Sequence, residues 1–467
     1  MNHLKLILIV SGLAAAMFAK AIFLPSHVVF SNDCNYGLLV RGFRQWPMFH
    51  IWNDLNFIDH SEPGIVPNIT GLLQFTLPAY VFAKAYAPLA LVVTSVLVWF
   101  GLRLRGCSER GSFYGALLAV FNPMSFAVLC WGLATHMIAF GFAVLTVGFI
   151  SSSVKRRAVF AGLCLGQCVT QSWDIGALYS IVIGCFALTK LKPREILTLV
   201  GLSLVVASPS IYQVLSSRAV NLGAPLTFEQ AAAFAIHPEQ VPGMFIPFAE
   251  SYNPVGTVNF GLAIIALCFM SRKFSGWMAL AVFAVLLSLG SYTPLFEMFY
   301  SLPFANLMRA PYKFLHLVQF SLLFIAVANI DRIKPSWILL PLLAFQIAYC
   351  SRWVKTEDIS RYENPNEIIK FLAEKKKRVA FLPTGDNPQR AFAQYYDWLQ
   401  KDFQYHGIPA YEVIQERQAS PERLAIEARY PNLLERYKAC GVHYLIDGNL
   451  QVIQITPTGD LLHREKP

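Results

Sequence analysis

The chain has 467 residues, of which 55% are hydrophobic and 14% charged, a net charge of +10 and a mean hydropathy of +0.46. This excludes a single soluble domain of that length, which would need more charge to solvate its surface. Nucleic-acid binding is excluded by where the charge lies. From Arg352 onward 17 Lys and Arg face 16 Asp and Glu, so the basic excess sits in short loops between apolar runs and reports membrane topology.

The first apolar run, residues 4–24, carries Ala19-Lys20-Ala21 near its end. That tripeptide reads either as a signal-peptidase site or as part of a retained first helix; retention is the expectation, because the next loop needs an anchor. Further runs lie near 88–102, 113–126, 137–150, 158–169, 175–188, 196–211, 258–270, 277–289, 314–330 and 337–350. Together they predict an α-helical polytopic membrane protein of about eleven transmembrane helices. Basic clusters fall in alternate loops: Arg103, Arg105 and Arg110; Lys155, Arg156 and Arg157; Lys190, Lys192 and Arg194; Arg272 and Lys273; Arg332 and Lys334. All five face the cytoplasm if the N-terminus does, provided that residues 69–87, with Pro78 and Lys84, form an interfacial or re-entrant helix.

This threading gives a transmembrane domain over 1–351 with outer loops at 25–68, 216–257 and 291–312. The tail, 352–467, mixes charged helical stretches with strand-like runs at 379–382, 443–446 and 451–455, and reads as a small α/β domain on the outer face. No transporter-type internal repeat is evident, which weighs against a carrier. Nine cysteines are scattered without CxxC spacing and define no zinc site or disulfide framework; a bridge among Cys34, Cys130, Cys350 and Cys440 stays open. GxGxxG, P-loop, GxSxG and HExxH motifs do not occur, so nucleotide binding and common hydrolase chemistry lack support.

The hydrophobic part contains only twelve acidic residues, which bounds any carboxylate mechanism. Asp33 follows the first helix closely. It reads either as a base or divalent-cation ligand near the membrane plane or as the cap of a helix starting around Asn35. Asp54 and Asp59 sit among aromatics and amides, the composition of a sugar pocket, although loop capping and interfacial Trp anchoring explain them equally. Asp174, between two spans, is either a site residue or a helix cap. His136 is a lone histidine at a helix start, for which a structural role is the expectation. Arg309 and Lys313 are four apart at the outer entrance of the tenth span, with His316 a turn further in. On one helical face they would seat the phosphate of a lipid-linked substrate, with snorkelling to lipid headgroups as the alternative.

The succession Asn53-Asp54-Leu55-Asn56, Tyr86-Ala87-Pro88, Cys130-Trp131-Gly132, Asp174-Ile175-Gly176-Ala177, Arg309 to His316 and Tyr405-His406-Gly407-Ile408-Pro409 resembles bacterial YfhO-like integral membrane proteins. That family is similar to the glycosyltransferases of clan C (GT-C), which take a sugar from a polyprenyl-phosphate donor on the outer membrane face. The resemblance implies Asp33 as base or metal ligand and Arg309, with Lys313, as the donor-phosphate site. It also implies a glycan, lipid or protein acceptor, a lipid-linked sugar donor and the bacterial cytoplasmic membrane. After Asp33 comes Cys34-Asn35-Tyr36, without the second acid of many clan C loops, so a Mg or Mn cofactor is left open. The competing reading is a non-catalytic lipid-glycan binding, transport or assembly protein of the cell envelope.

Overall fold

The computed structural model describes residues 3–31, 36–39, 51–53, 60–62, 67–218, 226–242, 263–265, 276–302, 305, 308, 310–334, 336–352, 354–411, 425–426, 428–456 and 461–463. The helices are α1 (His3–Met17), α2 (Ala19–Phe23), α3 (Tyr36–Leu39), α4 (Ile69–Thr76), α5 (Ala79–Leu104), α6 (Glu109–Val120), α7 (Pro123–Cys130), α8 (Ala134–Ser151), α9 (Arg157–Gln171), α10 (Trp173–Lys190), α11 (Pro193–Arg218) and α12 (Phe228–Ala232). They continue with α13 (Gly276–Ser288), α14 (Pro294–Tyr300), α15 (Leu315–Ile330), α16 (Leu339–Ser351), α17 (Ser360–Glu363), α18 (Glu367–Lys375), α19 (Pro388–Gln400), α20 (Asp402–His406) and α21 (Leu433–Ala439). The strands are β1 (His27–Val29), β2 (Ile51–Asn53), β3 (His60–Glu62), β4 (Thr356–Asp358), β5 (Arg378–Phe381), β6 (Val442–Ile446), β7 (Val452–Ile455) and β8 (Leu461–His463). The chain divides into two compact units: residues 1–36, 66–211 and 225–357, and residues 37–65, 212–224 and 358–467.

The first unit is a bundle of apolar helices. Among the described residues five helices are long and apolar enough to cross a membrane, and a sixth span arises if α6 and α7 are one broken crossing. The break between them has a local cause. Asn122 accepts a hydrogen bond from the Ser125 backbone N–H at 3.0 Å, and Pro123 begins the next helix, so the chain restarts at a 45° bend. Residues 4–24 likewise divide into α1 and α2.

One expectation is overturned. Residues 69–87 are not one helix: 79–87 form the start of α5, a helix of 26 residues running through Pro88. Only α4 stands apart, because Leu77 precedes Pro78 and is held extended. Close packing organises the bundle around α5 and α8. A Cβ on Gly101 would lie 2.7 Å from the Val144 carbonyl oxygen, and one on Gly148 would strike the Gly101 backbone. Small residues at such a crossing let helix backbones touch where lipid provides no hydrophobic drive.

Loops carrying basic residues join in pairs. Ser108 Oγ donates to Asp331 at 2.6 Å, the Arg110 guanidinium donates to the Ile333 carbonyl, and Arg105 lies 4.2 Å above the Phe324 ring. Arg157 grips Glu195 with two bonds of 2.9 and 3.1 Å. Cys130 and Cys350 are free thiols, so neither joins the bridge left open above.

The second unit holds a four-stranded sheet in the order β5-β6-β7-β8, with β5 and β6 parallel and the other pairs antiparallel. Alternation along β5 sends Val379 and Phe381 into one core with Tyr395, Leu399 and Phe403. Ala380 joins a second core with Tyr437, Leu445 and Ile453 on the other side of the sheet. Arg361 ties this unit together through Asp402 at 2.6 Å and Asp397 at 3.1 Å, while Lys401 holds Asp397 at 2.9 Å. Burial alone would lift the Asp397 pKa, but Lys401 and Arg361 outweigh it and hold the carboxyl below its usual range. For Asp402 desolvation prevails and its pKa is raised. In the same unit β2 and β3 pair antiparallel, with Trp52 opposite Ser61.

Candidate functional site

Three helix N-termini of the first unit bring four ionisable side chains together. Asp174 lies in the first turn of α10, His136 in the first turn of α8 and His316 in the first turn of α15; Lys313 sits on the 3-10 turn Pro311–Phe314 that leads into α15. All three of the acid and histidine residues are buried. The Lys313 ammonium donates to Asp174 Oδ2, while Asp174 Oδ1 accepts from Ser172 Oγ at 2.9 Å and from the Ile175 backbone N–H at 2.8 Å. His136 Nε2 is 3.9 Å from Asp174 Oδ1, and the His136 and His316 rings meet edge to face with centroids 5.6 Å apart. Asp174 satisfies a free N–H in the first turn of its own helix, whose cap position is Ser172, and is the anionic centre of a buried charged cluster.

Both histidines also border a small cavity whose walls mix polar side chains with Met124, Val128, Met137 and Phe140. Its polar lining is Thr94, Ser125, His136, His316 and Gln319, and it has roughly one water's volume. Neither Thr94 Oγ1 nor His136 Nδ1 has a hydrogen-bond partner among the described residues. One flank is built by α4 and the end of α9: Asn68 Nδ2 donates to the Thr170 carbonyl at 2.7 Å, and Thr70 Oγ1 bonds Gln171 at 2.8 Å and Tyr86 at 2.7 Å.

On the other side runs an apolar cleft of about 820 Å³ between α10, α13 and α14, lined by Leu178, Phe186, Trp277, Phe283, Phe299 and Phe314 among others. Phe314 and Leu317 follow Lys313 and His316 directly and Leu178 lies one turn after Asp174, so the elements that carry the cluster also wall the cleft, although none of the four ionisable residues lines it. A hydrophobic channel beside a buried cation suits an amphiphile with a long apolar chain and an anionic head.

The approach to Lys313 is strained. Ala310 has φ 68°, a left-handed value unusual outside glycine, immediately before Pro311. Its N–H donates to the Ala231 carbonyl at 3.2 Å. The helix therefore does not extend back past Ala310, and the expectation that positions 309 and 313 share one face rests on Arg309. Arg309, Asp33 and Asp54 lie outside the described residues. On either side of Asp33, Ser31 Oγ accepts from the Tyr36 N–H at 3.1 Å, and the Tyr36 hydroxyl reaches the Leu129 carbonyl at 3.3 Å. Among the described residues no group of three or more His, Cys, Asp or Glu is arranged to hold a metal ion.

Sequence reasoning grouped Lys313 with His316 but treated Asp174 apart from them, and it set His136 aside for want of a second ligand. The available signal was positional: each opens a helix at what the threading makes the same membrane face.

The chain matches no protein-family model and no curated protein. Among solved structures it is similar to the arabinofuranosyltransferase AftD from Mycobacteria, with a TM-score of 0.58 at 12% identity, covering 96% of this chain and 35% of that one. It also aligns with the oligosaccharyltransferase of Archaeoglobus fulgidus at a TM-score of 0.45 and 11% identity, covering 99% of this chain and 74% of that one. The chain thus spans about a third of the length of AftD and shares the fold of its matched part.

Proposed function

We propose that this protein is a membrane glycosyltransferase of GT-C type that moves a sugar from a polyprenyl-phosphate donor to an acceptor on the outer face of the cytoplasmic membrane. The observation that carries the reading is the apolar cleft of about 820 Å³ beside the Asp174–Lys313 pair, which provides for both ends of such a donor. The fold shared with AftD supports it.

In this reading the acceptor hydroxyl attacks the anomeric carbon and gives its proton to Asp33, and the bond from that carbon to the phosphate oxygen breaks. The polyprenyl phosphate leaves with the bonding electrons. Lys313 and Arg309 stabilise the charge that develops on it. Asp174 holds Lys313 ready, and Asp174 or Asp54 shapes the sugar pocket; His316 belongs to the same cluster as Lys313. The C-terminal domain lies on the outer face.

Binding of polyprenyl phosphate to purified protein tests the donor site. Arg309→Ala leaves the Asp174–Lys313 pair intact and is expected to weaken binding about tenfold or more, the worth of one charge-assisted contact. Unchanged binding would remove Arg309 from the site. A purely binding protein is told from an enzyme by Asp33→Asn, which abolishes transfer but leaves donor affinity in place.

A further inference from the structure

A second buried cation stands apart from this cluster. Lys84, in the second turn of α5, is 7% exposed. Its ammonium donates to the Ala21 carbonyl at 3.0 Å and the Leu24 carbonyl at 2.5 Å, and lies 5.0 Å from the centre of the Tyr80 ring. It forms no salt bridge with any described carboxylate. Two carbonyls at the end of α2 account for two of the three N–H donors and leave a full positive charge in an apolar bundle, which is costly without an anion.

The surroundings are hollow. Lys84 lines a cavity of about 390 Å³ whose other walls come from Ser11, Ala14 and Ala15 of α1 and from Tyr80, Leu89 and Val92 of α5. Small side chains on α1 make the space, and its volume lies within the range of ~300–1,000 Å³ typical of small-molecule sites. Pro88 adds a further feature, since it has no N–H to offer the carbonyl of Lys84 four residues earlier. An apolar hollow with one cation near the end of a candidate span matches a lipid acyl chain below an anionic headgroup.

We propose that this cavity is a binding site for one anionic phospholipid, with its phosphate on Lys84 and an acyl chain along Ala14, Ala15 and Leu89. The site is separate from the donor cleft and does not depend on the glycosyltransferase reading. Lys84 itself ties α5 to the end of α2, and the acyl chain fills the hollow between α1 and α5.

The test is native mass spectrometry of the full chain in detergent, after incubation with phosphatidylglycerol or with phosphatidylcholine. Wild type is expected to keep one phosphatidylglycerol. Lys84→Met is expected to lose it about fivefold more readily while holding phosphatidylcholine as wild type does. Retention by Lys84→Met equal to wild type would overturn the proposal. If that variant does not fold, Ala15→Phe decides, because it fills the hollow and leaves Lys84 in place: loss of the lipid supports the site, and wild-type retention overturns it.

Discussion

Replacing Asp174 by Asn changes one charge and almost no shape. Asn Oδ1 still accepts from Ser172 Oγ and the Ile175 N–H, as Asp174 does at 2.9 and 2.8 Å. What is lost is the partner of Lys313, in a pair whose side chains are only 18% and 12% exposed. A buried ammonium left alone costs about 3–5 kcal/mol, because its desolvation is no longer offset. Lys313→Met removes the other charge and strands the carboxylate at a similar cost. The double variant strands neither, so the two losses are not additive, and a coupling of about 2–3 kcal/mol is expected. Denaturant unfolding of the wild type, both single variants and the double variant in one detergent measures it. Additivity within about 0.5 kcal/mol would refute the claim that the pair is closed and desolvated.

Three further outcomes follow from the packing and charge of the fold. Gly101→Val drives a side chain into the Val144 backbone and is expected to cost about 1–3 kcal/mol in thermal unfolding; a neutral result would mean that α5 and α8 do not cross there. At Ala310, whose φ is 68°, Val should destabilise by about 1–2 kcal/mol and Gly should be near neutral, so a loss above about 1 kcal/mol for Gly would remove the left-handed turn. In the second unit the Asp397 pKa is depressed, so its contribution is present above the unfolded value of about 3.9 and is lost as pH falls through the folded one. The melting-temperature gap between wild type and Asp397→Asn should close on acidification below about pH 4, and a constant gap would contradict the ion pairs with Arg361 and Lys401.

Much of the helical pattern was legible because long apolar runs admit few other structures in lipid. The runs at 137–150 and 175–188 lie within α8 and α10, and the run at 314–330 covers α15 and the residue before it. Strand-like runs at 379–382, 443–446 and 451–455 overlap β5, β6 and β7, where alternation is strong enough to read. The error at 79–87 came from beginning the apolar run at Pro88 and assigning everything from 69 to 87 to one separate helix so that the basic loops would alternate. A proline inside a membrane helix forfeits one bond, and packing against neighbours retains the helix. The charged cluster was legible only in parts. Asp174 and Lys313 are 139 positions apart, and nothing local in either segment records that the two meet. His136 was set aside for the same reason: its partners come from α10 and α15. The left-handed turn at Ala310 has no sequence signal, since alanine gives no hint of positive φ.

The central claim is sugar transfer, and it is tested most directly by supplying radiolabelled polyprenyl-phosphate sugars to the purified protein in lipid and measuring label on added acceptors. The account predicts product with wild type and none with Asp33→Asn, while the variant still binds donor. Product formation by Asp33→Asn at the wild-type rate, or no transfer from any donor by a wild-type protein that binds it, would contradict the account.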